Sequence, residues 1–157
     1  AQPDCFSSRR PNSASIGTRA FQMALYVVFE SNLQMLADNP TLYNMYPDCR
    51  DYIASCPVNW DETRVLAAEF GEYTIVARRS GNKWYIGGIT NETARDIDVK
   101  LDFLAEGLSY NATSFTDGIN SSVQAMDYRK ESTRLSRNST IRIHMVRNGG
   151  YAAVVEP

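Results

Sequence analysis

Histidine is almost missing from this 157-residue sequence: His144 is the only one. Cysteine is scarce too, with Cys5, Cys49 and Cys56 at spacings that fit no zinc pattern. Histidine-based triads and Cys/His zinc centres are therefore poorly supported. His144 falls in the alternating run Thr140-Ile-Arg-Ile-His-Met-Val146, where a sheet position is expected of it. A disulfide between Cys49 and Cys56 is open to the chain in an oxidising compartment, but free buried thiols are the expected state. Lys and Arg gather no further than the pairs Arg9-Arg10, Arg78-Arg79 and Arg129-Lys130, and the net charge is −2. That excludes the basic surface which nucleic acid or an anionic membrane requires. The longest unbroken apolar run, Met23 to Phe29, falls far short of the ~20 residues that cross a bilayer. No signal-peptide pattern is read. The first residue is Ala rather than Met, so the expectation is a chain processed or cut from a longer one.

The remaining composition is ordinary for a globular domain, with 43% apolar and 22% charged residues. The length predicts one domain, or one domain plus a fragment. A chain of this size buries about two-thirds of its unfolded surface, so it needs neither metal nor disulfides to fold.

The stretch with the most chemistry is Asn59-Trp-Asp-Glu-Thr-Arg-Val-Leu-Ala-Ala-Glu-Phe-Gly-Glu-Tyr73. It holds Asp61, Glu62, Glu69 and Glu72 within twelve residues, beside Trp60. Paired carboxylates are the tools of glycosidases. Asp61 and Glu62 are adjacent, however, and in an extended chain their side chains point to opposite faces. The segment 61–68 follows Pro57 and leads into a strand. It reads as a linker whose carboxylates cap turns or pair with arginines such as Arg64. No catalytic, cofactor-binding or metal-ligating residue is assigned. Asn91, Asn111, Asn120 and Asn138 begin Asn-x-Ser/Thr sequons, which are glycosylation candidates in a secreted eukaryotic protein.

The pattern changes near residue 57. Residues 1–15 are polar and read as a tail. Ser15 or Thr18 can cap a helix running to about Asp38, where Asn39-Pro40 stops it. Ala20, Met23, Ala24, Val27, Val28, Leu33 and Leu36 recur at helical steps, and Leu25, Tyr26 and Phe29 grease the other sides. Such a helix needs several neighbours, and residues 48–55 supply only one or two further helical turns. Beyond residue 57 the signals are those of strands. A hairpin is expected over 72–90 with its turn at Ser80-Gly-Asn, and strict alternation over Arg95–Asp102 predicts a half-buried strand. Further strands are expected over 109–115, 125–135, 139–146 and 150–155, with turns at Asp117-Gly118 and Asn148-Gly-Gly150. The fold class is mainly β: an antiparallel β-sandwich of about seven or eight strands, preceded by one long apolar helix. The domains divide as 1–56, tail and helical part, and 57–157, sandwich.

Trp60, Trp84, Tyr85, Tyr110 and Tyr128 could form a sugar-stacking face, though core positions are the usual fate of such residues. Of Trp84 and Tyr85, one is expected to face outward or toward a neighbouring domain. Gly87-Gly88 suggests a bulge or a close backbone approach. Asp96, Asp98 and Asp102 lie on one side of the predicted strand; calcium is conceivable there, and a solvated face is favoured.

Gly17–Pro40 ("GTRAFQMALYVVFESNLQMLADNP"), Asp51–Thr90, Leu101–Gly107 ("LDFLAEG") and Asp117–Asn120 ("DGIN") are similar to the C-terminal end of glycoside hydrolase family 97. The resemblance runs from about Gly17 to Val155. It implies α-glucosidase or α-galactosidase activity in a parent enzyme with an N-terminal β-sandwich, a (β/α)8 barrel and a C-terminal β-sandwich. It also implies Bacteroidetes as a common source, calcium in the parent, and a periplasmic or secreted location. On this reading the chain is the last barrel helix plus the C-terminal sandwich. The catalytic carboxylates and calcium-binding glutamates then lie outside these residues. The partner of the apolar helix 20–36 would be the barrel or a second copy of the chain. The family's motif usually has histidine where this chain has Phe21. The competing reading is a stand-alone sandwich that binds carbohydrate or a partner protein.

Overall fold

The computed structural model describes residues 16–31, 33–36 and 39–157. Cys5 and the tail 1–15 lie outside the described residues. The order of elements is α1 (Arg19–Val28), α2 (Pro40–Asn44), α3 (Pro47–Ser55), then eight strands: β1 (Glu62–Glu69), β2 (Tyr73–Ser80), β3 (Lys83–Thr90), β4 (Arg95–Lys100), β5 (Tyr110–Asp117), β6 (Tyr128–Leu135), β7 (Thr140–Met145) and β8 (Gly150–Glu156). Six strands form one antiparallel sheet in the order β1-β2-β3-β8-β5-β6, and β4 and β7 pair as a second sheet.

Period-two alternation sends each strand's residues to two different layers. Ile75, Ala77, Trp84, Ile86, Ala153 and Val155 leave one face of the large sheet and meet Val99, Leu101, Leu104, Ile143 and Met145 in a closed apolar core. Their neighbours Val76, Tyr85, Phe115 and Ala152 leave the other face and meet Met23, Ala24, Val27, Cys49 and Tyr52 from the helices. Trp84 and Tyr85 are thus both buried, one in each layer. Neither faces solvent, because the sheet is covered on both sides; Tyr85 turns to the helical part, the second of the two expected outcomes.

Three expectations change. The helix is shorter than predicted: α1 has 10 residues and ends at Val28, with Phe29 already extended at φ −79 and ψ 134. Thr18 is its N-cap, accepting from the Phe21 amide at 3.1 Å. Past its end, the Ser31 hydroxyl bonds to the Leu33 carbonyl and accepts from its amide, a local turn that competes with helix. Second, Asn39-Pro40 starts a helix rather than stopping one: Asn39 Oδ1 accepts from the Leu42 amide at 3.1 Å and Pro40 occupies the first turn of α2. Third, residues 62–69 are not a linker but the edge strand β1, in register with β2 from Glu62↔Arg79 to Glu69↔Tyr73.

The partners of α1 are also present in this chain. Ala20, Met23, Ala24 and Val27 are buried against β2, β3 and β8. Gly87 permits this approach, since a Cβ there would lie 2.8 Å from Val27 Cβ and 2.9 Å from the Ala24 carbonyl. The close-approach reading of Gly87-Gly88 therefore holds; the bulge is on β1, between Val65 and Ala67. Among the described residues, no helix is long and apolar enough to cross a membrane.

Candidate functional site

The four carboxylates of 59–73 are divided between the two ends of the β1–β2 hairpin. Asp61 and Glu62 stand at one end. Asp61 Oδ2 accepts the Gly81 amide at 2.7 Å, and Glu62 receives Arg64 at 2.7 Å and Arg79 at 3.3 Å. These arginines hold the Glu62 carboxyl below its usual range through their hydrogen bonds. Glu69 and Glu72 stand at the other end, where Glu72 pairs with Arg95 at 2.5 Å. Seven residues of extended chain separate Glu62 from Glu69, roughly 24 Å. A glycosidase needs its two carboxyls ~5–9.5 Å apart across one bond. Each of Asp61, Glu62 and Glu72 is instead matched to an arginine or a turn amide.

The five aromatics do not share a face. Trp84 stacks at a tilt on Phe103 with 4.6 Å between ring centroids, and the Tyr110 hydroxyl accepts the Ala105 amide, both inside the sandwich core. On the helix side, Trp60 meets Tyr85 edge-on at 5.3 Å, the Tyr85 hydroxyl donates to the Ser55 carbonyl at 2.9 Å, and Tyr128 donates to Asp48. The continuous sugar-stacking surface considered for them is absent. The three aspartates do not gather either. Asp96 pairs with His144 at 2.8 Å and Arg142 at 3.4 Å across β4 and β7, while Asp102 lies beyond the end of β4. His144 occupies the sheet position expected of it. No group of three or more His, Cys, Asp or Glu among the described residues can hold a metal. Cys49 and Cys56 are free, and burial pushes the Cys56 thiol up to about 12, far from a nucleophilic thiolate. The sequon asparagines Asn111, Asn120 and Asn138 are exposed, whereas the Asn91 amide donates to the Gly71 carbonyl at 3.2 Å.

The polar centre of the fold is one that sequence reasoning missed. Asp117, at the end of β5, is buried. Its Oδ1 accepts the Thr18 hydroxyl at 2.5 Å, and its Oδ2 accepts the amides of Val146 at 3.0 Å and Gly150 at 3.1 Å. One carboxylate thereby joins the N-cap of α1, the end of β7 and the start of β8. Burial raises its pKa, and these three bonds oppose the rise. Gly149 and Gly150 leave the necessary room: a Cβ on Gly149 would strike the Asp117 carboxylate, and one on Gly150 would lie 2.6 Å from the Phe21 amide nitrogen. Phe21, where the family's motif usually has histidine, thus stands at this joint.

In this arrangement Asp61, Glu62, Glu72, Asp96 and Asp117 each have a partner within the chain, and the motifs "GTRAF" and "DGIN" meet at the Thr18–Asp117 joint. A family model described as "Glycosyl-hydrolase 97 C-terminal, oligomerisation" matches residues 59–156. The chain belongs to glycoside hydrolase family 97. A retaining α-galactosidase of Bacteroides thetaiotaomicron is 44% identical over 142 residues, which cover 90% of this family 97 chain and 21% of that protein. A family 97 enzyme from Pseudoalteromonas sp. strain K8, solved with acarbose and with panose, superposes with a TM-score of 0.85 at 33% identity over 89% of this chain and 22% of that one. A β-arabinopyranosidase shares the fold at a TM-score of 0.77 and 21% identity, over 97% of this chain and 24% of its own. The family 97 chain therefore spans about a fifth of the length of these relatives.

Proposed function

We propose that this chain serves as the C-terminal, self-associating accessory part of an enzyme that hydrolyses α-galactosidic or α-glucosidic bonds, the catalytic barrel lying outside these 157 residues. What carries the reading is the family match over residues 59–156 together with the ~24 Å spread of the hairpin carboxylates. The galactosidic choice follows the name of the Bacteroides relative, and the glucosidic one follows the panose bound by the Pseudoalteromonas enzyme. Residues 1–56 form the end of the barrel region in this reading, and 57–157 the sandwich. The groove of about 330 Å³ lined by Leu25, Tyr26, Phe29, Ser31, Leu33 and Met35 then receives the barrel. Calcium would be held by the barrel side and not by these residues. The family also suggests a periplasmic or secreted enzyme. The test is hydrolysis of p-nitrophenyl α-galactoside and α-glucoside by the 157-residue polypeptide. No turnover is expected; turnover abolished by Asp61→Asn would refute the proposal.

A further inference from the structure

The sequence holds one Asn-Gly pair, Asn148-Gly149, and the fold calls for both residues. Asn148 has φ 52, the only positive value at a non-glycine position among the described residues, and asparagine is among the side chains that tolerate it best. Gly149 is buried, and a Cβ there would strike the Asp117 carboxylate and lie 2.6 Å from the Val146 amide nitrogen and carbonyl oxygen. Asn-Gly is also the dipeptide that cyclises most readily in a flexible chain, because glycine sets no side chain beside its own nitrogen. In that reaction the glycine nitrogen gives up its proton to solvent base and attacks the asparagine side-chain carbonyl carbon. The new N–C bond closes a succinimide, and ammonia leaves. Water then opens the ring to aspartate or isoaspartate. Asn148 is half-buried, and no hydrogen bond holds its carboxamide among the described residues.

The backbone around that side chain is held on every side. The Gly149 amide donates to the Val146 carbonyl at 2.7 Å, which closes the β7–β8 turn and occupies the attacking nitrogen. The Asn148 amide donates to the Asn91 carbonyl at 2.8 Å, and the Asn148 carbonyl accepts the Thr18 amide at 3.1 Å. Asp117 fastens the same turn, since its Oδ2 accepts the Val146 and Gly150 amides and its Oδ1 accepts the Thr18 hydroxyl. We propose that Asn148 is a self-modifying site gated by the Asp117 joint: it stays intact while the joint is closed and cyclises onto Gly149 when the joint opens. The aspartate product puts a second carboxylate one residue from the glycine that packs on Asp117, and like charges so placed oppose closure. The isoaspartate product also adds a methylene to the backbone of the turn. Either product hinders reclosure, so Asn148 records how often α1 leaves the sandwich. The site is independent of the enzymatic role proposed for the longer protein.

The test is peptide mapping by mass spectrometry of the full chain after incubation at mildly alkaline pH. Asn138-Ser139, in an exposed turn at the other end of β7, is the internal control. Wild-type Asn148 is expected to react on the order of a hundredfold more slowly than in the guanidinium-unfolded chain. Asp117→Ala, which removes the acceptor of three bonds, should speed Asn148 about tenfold or more. Thr18→Ala should speed it less, and Asn138 should not change in either variant. Asp117→Asn removes the charge but keeps the bonds, and its rate should match the wild type. Wild-type Asn148 reacting as fast as in the unfolded chain would overturn the proposal, as would equal acceleration in Asp117→Asn and Asp117→Ala. Where Asp117→Ala unfolds the whole chain, Asn138 accelerates with Asn148 and Thr18→Ala decides: acceleration at Asn148 alone supports the gate, and none overturns it. Asn148→Asp, which reproduces the aspartate product, should melt below the wild type; an equal Tm would contradict the hindered reclosure.

Discussion

The two faces of the six-stranded sheet are covered in different ways. One is closed by β4 and β7 over aliphatic and aromatic side chains, and no buried, unpaired side-chain donor belongs to that core among the described residues. The other is covered by α1 and α3, and among the described residues it carries buried nitrogens with no partner: Arg19 Nη1, Trp60 Nε1, and Arg78 Nε and Nη1. Arg78 is only 5% exposed, and among the described residues its guanidinium bonds to the Val28 carbonyl at the end of α1, at 3.2 Å. Arg19 lies over the Tyr46 ring at 3.7 Å. A buried donor left unmatched costs about 1–3 kcal/mol. The sandwich core therefore carries no unmatched donor among the described residues, whereas the helix face carries several beside its apolar cluster and should be the weaker layer.

The largest break in this contrast should come from Asp117, the carboxylate that fastens α1 to the sandwich. Asp117→Ala leaves the Thr18 hydroxyl and the Val146 and Gly150 amides without an acceptor, which should cost about 3 kcal/mol. In thermal unfolding that corresponds to a fall in Tm of roughly 6–12 °C for a chain of this size. Asp117→Asn should be far milder, because its amide can donate to Thr18 while its oxygen keeps both backbone bonds. The pair also separates by pH. Asp117 has a raised pKa in the folded state, so the stability linked to its protonated form is present below the ordinary carboxylate range and is lost as pH rises through its folded value. Relative to wild type, Asp117→Asn should therefore gain as pH rises from the ordinary carboxylate range through the raised folded value. An unchanged difference across that range would show that the carboxylate is not desolvated.

The smallest expected effect lies at Arg78. Arg78→Met keeps the stem packed beside Trp60 and removes two unpaired nitrogens along with one hydrogen bond. Its stability by chemical denaturation should lie within about 1 kcal/mol of wild type, or above it. A loss of several kcal/mol would mean that the guanidinium is fully satisfied and that the helix face is no weaker than the other.

The sandwich face was the more legible of the two in the sequence. The 72–90 hairpin and the alternation through 95–100 and 140–145 are local signals, and they produced β2, β3, β4 and β7 close to their observed bounds. β1 was hidden because its bulge sets Leu66 and Ala67 on the same core and scrambles the period of two. The length of α1 was overestimated because apolar spacing continues through Leu33 and Leu36, while the Ser31 turn that breaks the helix is a side-chain effect. Asp117 was unreadable as a centre. Its partners are 99, 29 and 33 residues away, and in sequence it is indistinguishable from any turn aspartate. The carboxylates of 59–73 show the converse: close in sequence, they are held at opposite ends of a hairpin, and the expected pairing with Arg64 and a turn is what Glu62 and Asp61 make.

Amide hydrogen exchange on the 157-residue chain tests the difference between the two faces most directly. The account predicts that β3, β7 and β8 exchange only through global unfolding, whereas α1 exchanges earlier, in a separate opening that Asp117→Ala accelerates. Equal protection of α1 and β3, unchanged by Asp117→Ala, would contradict it.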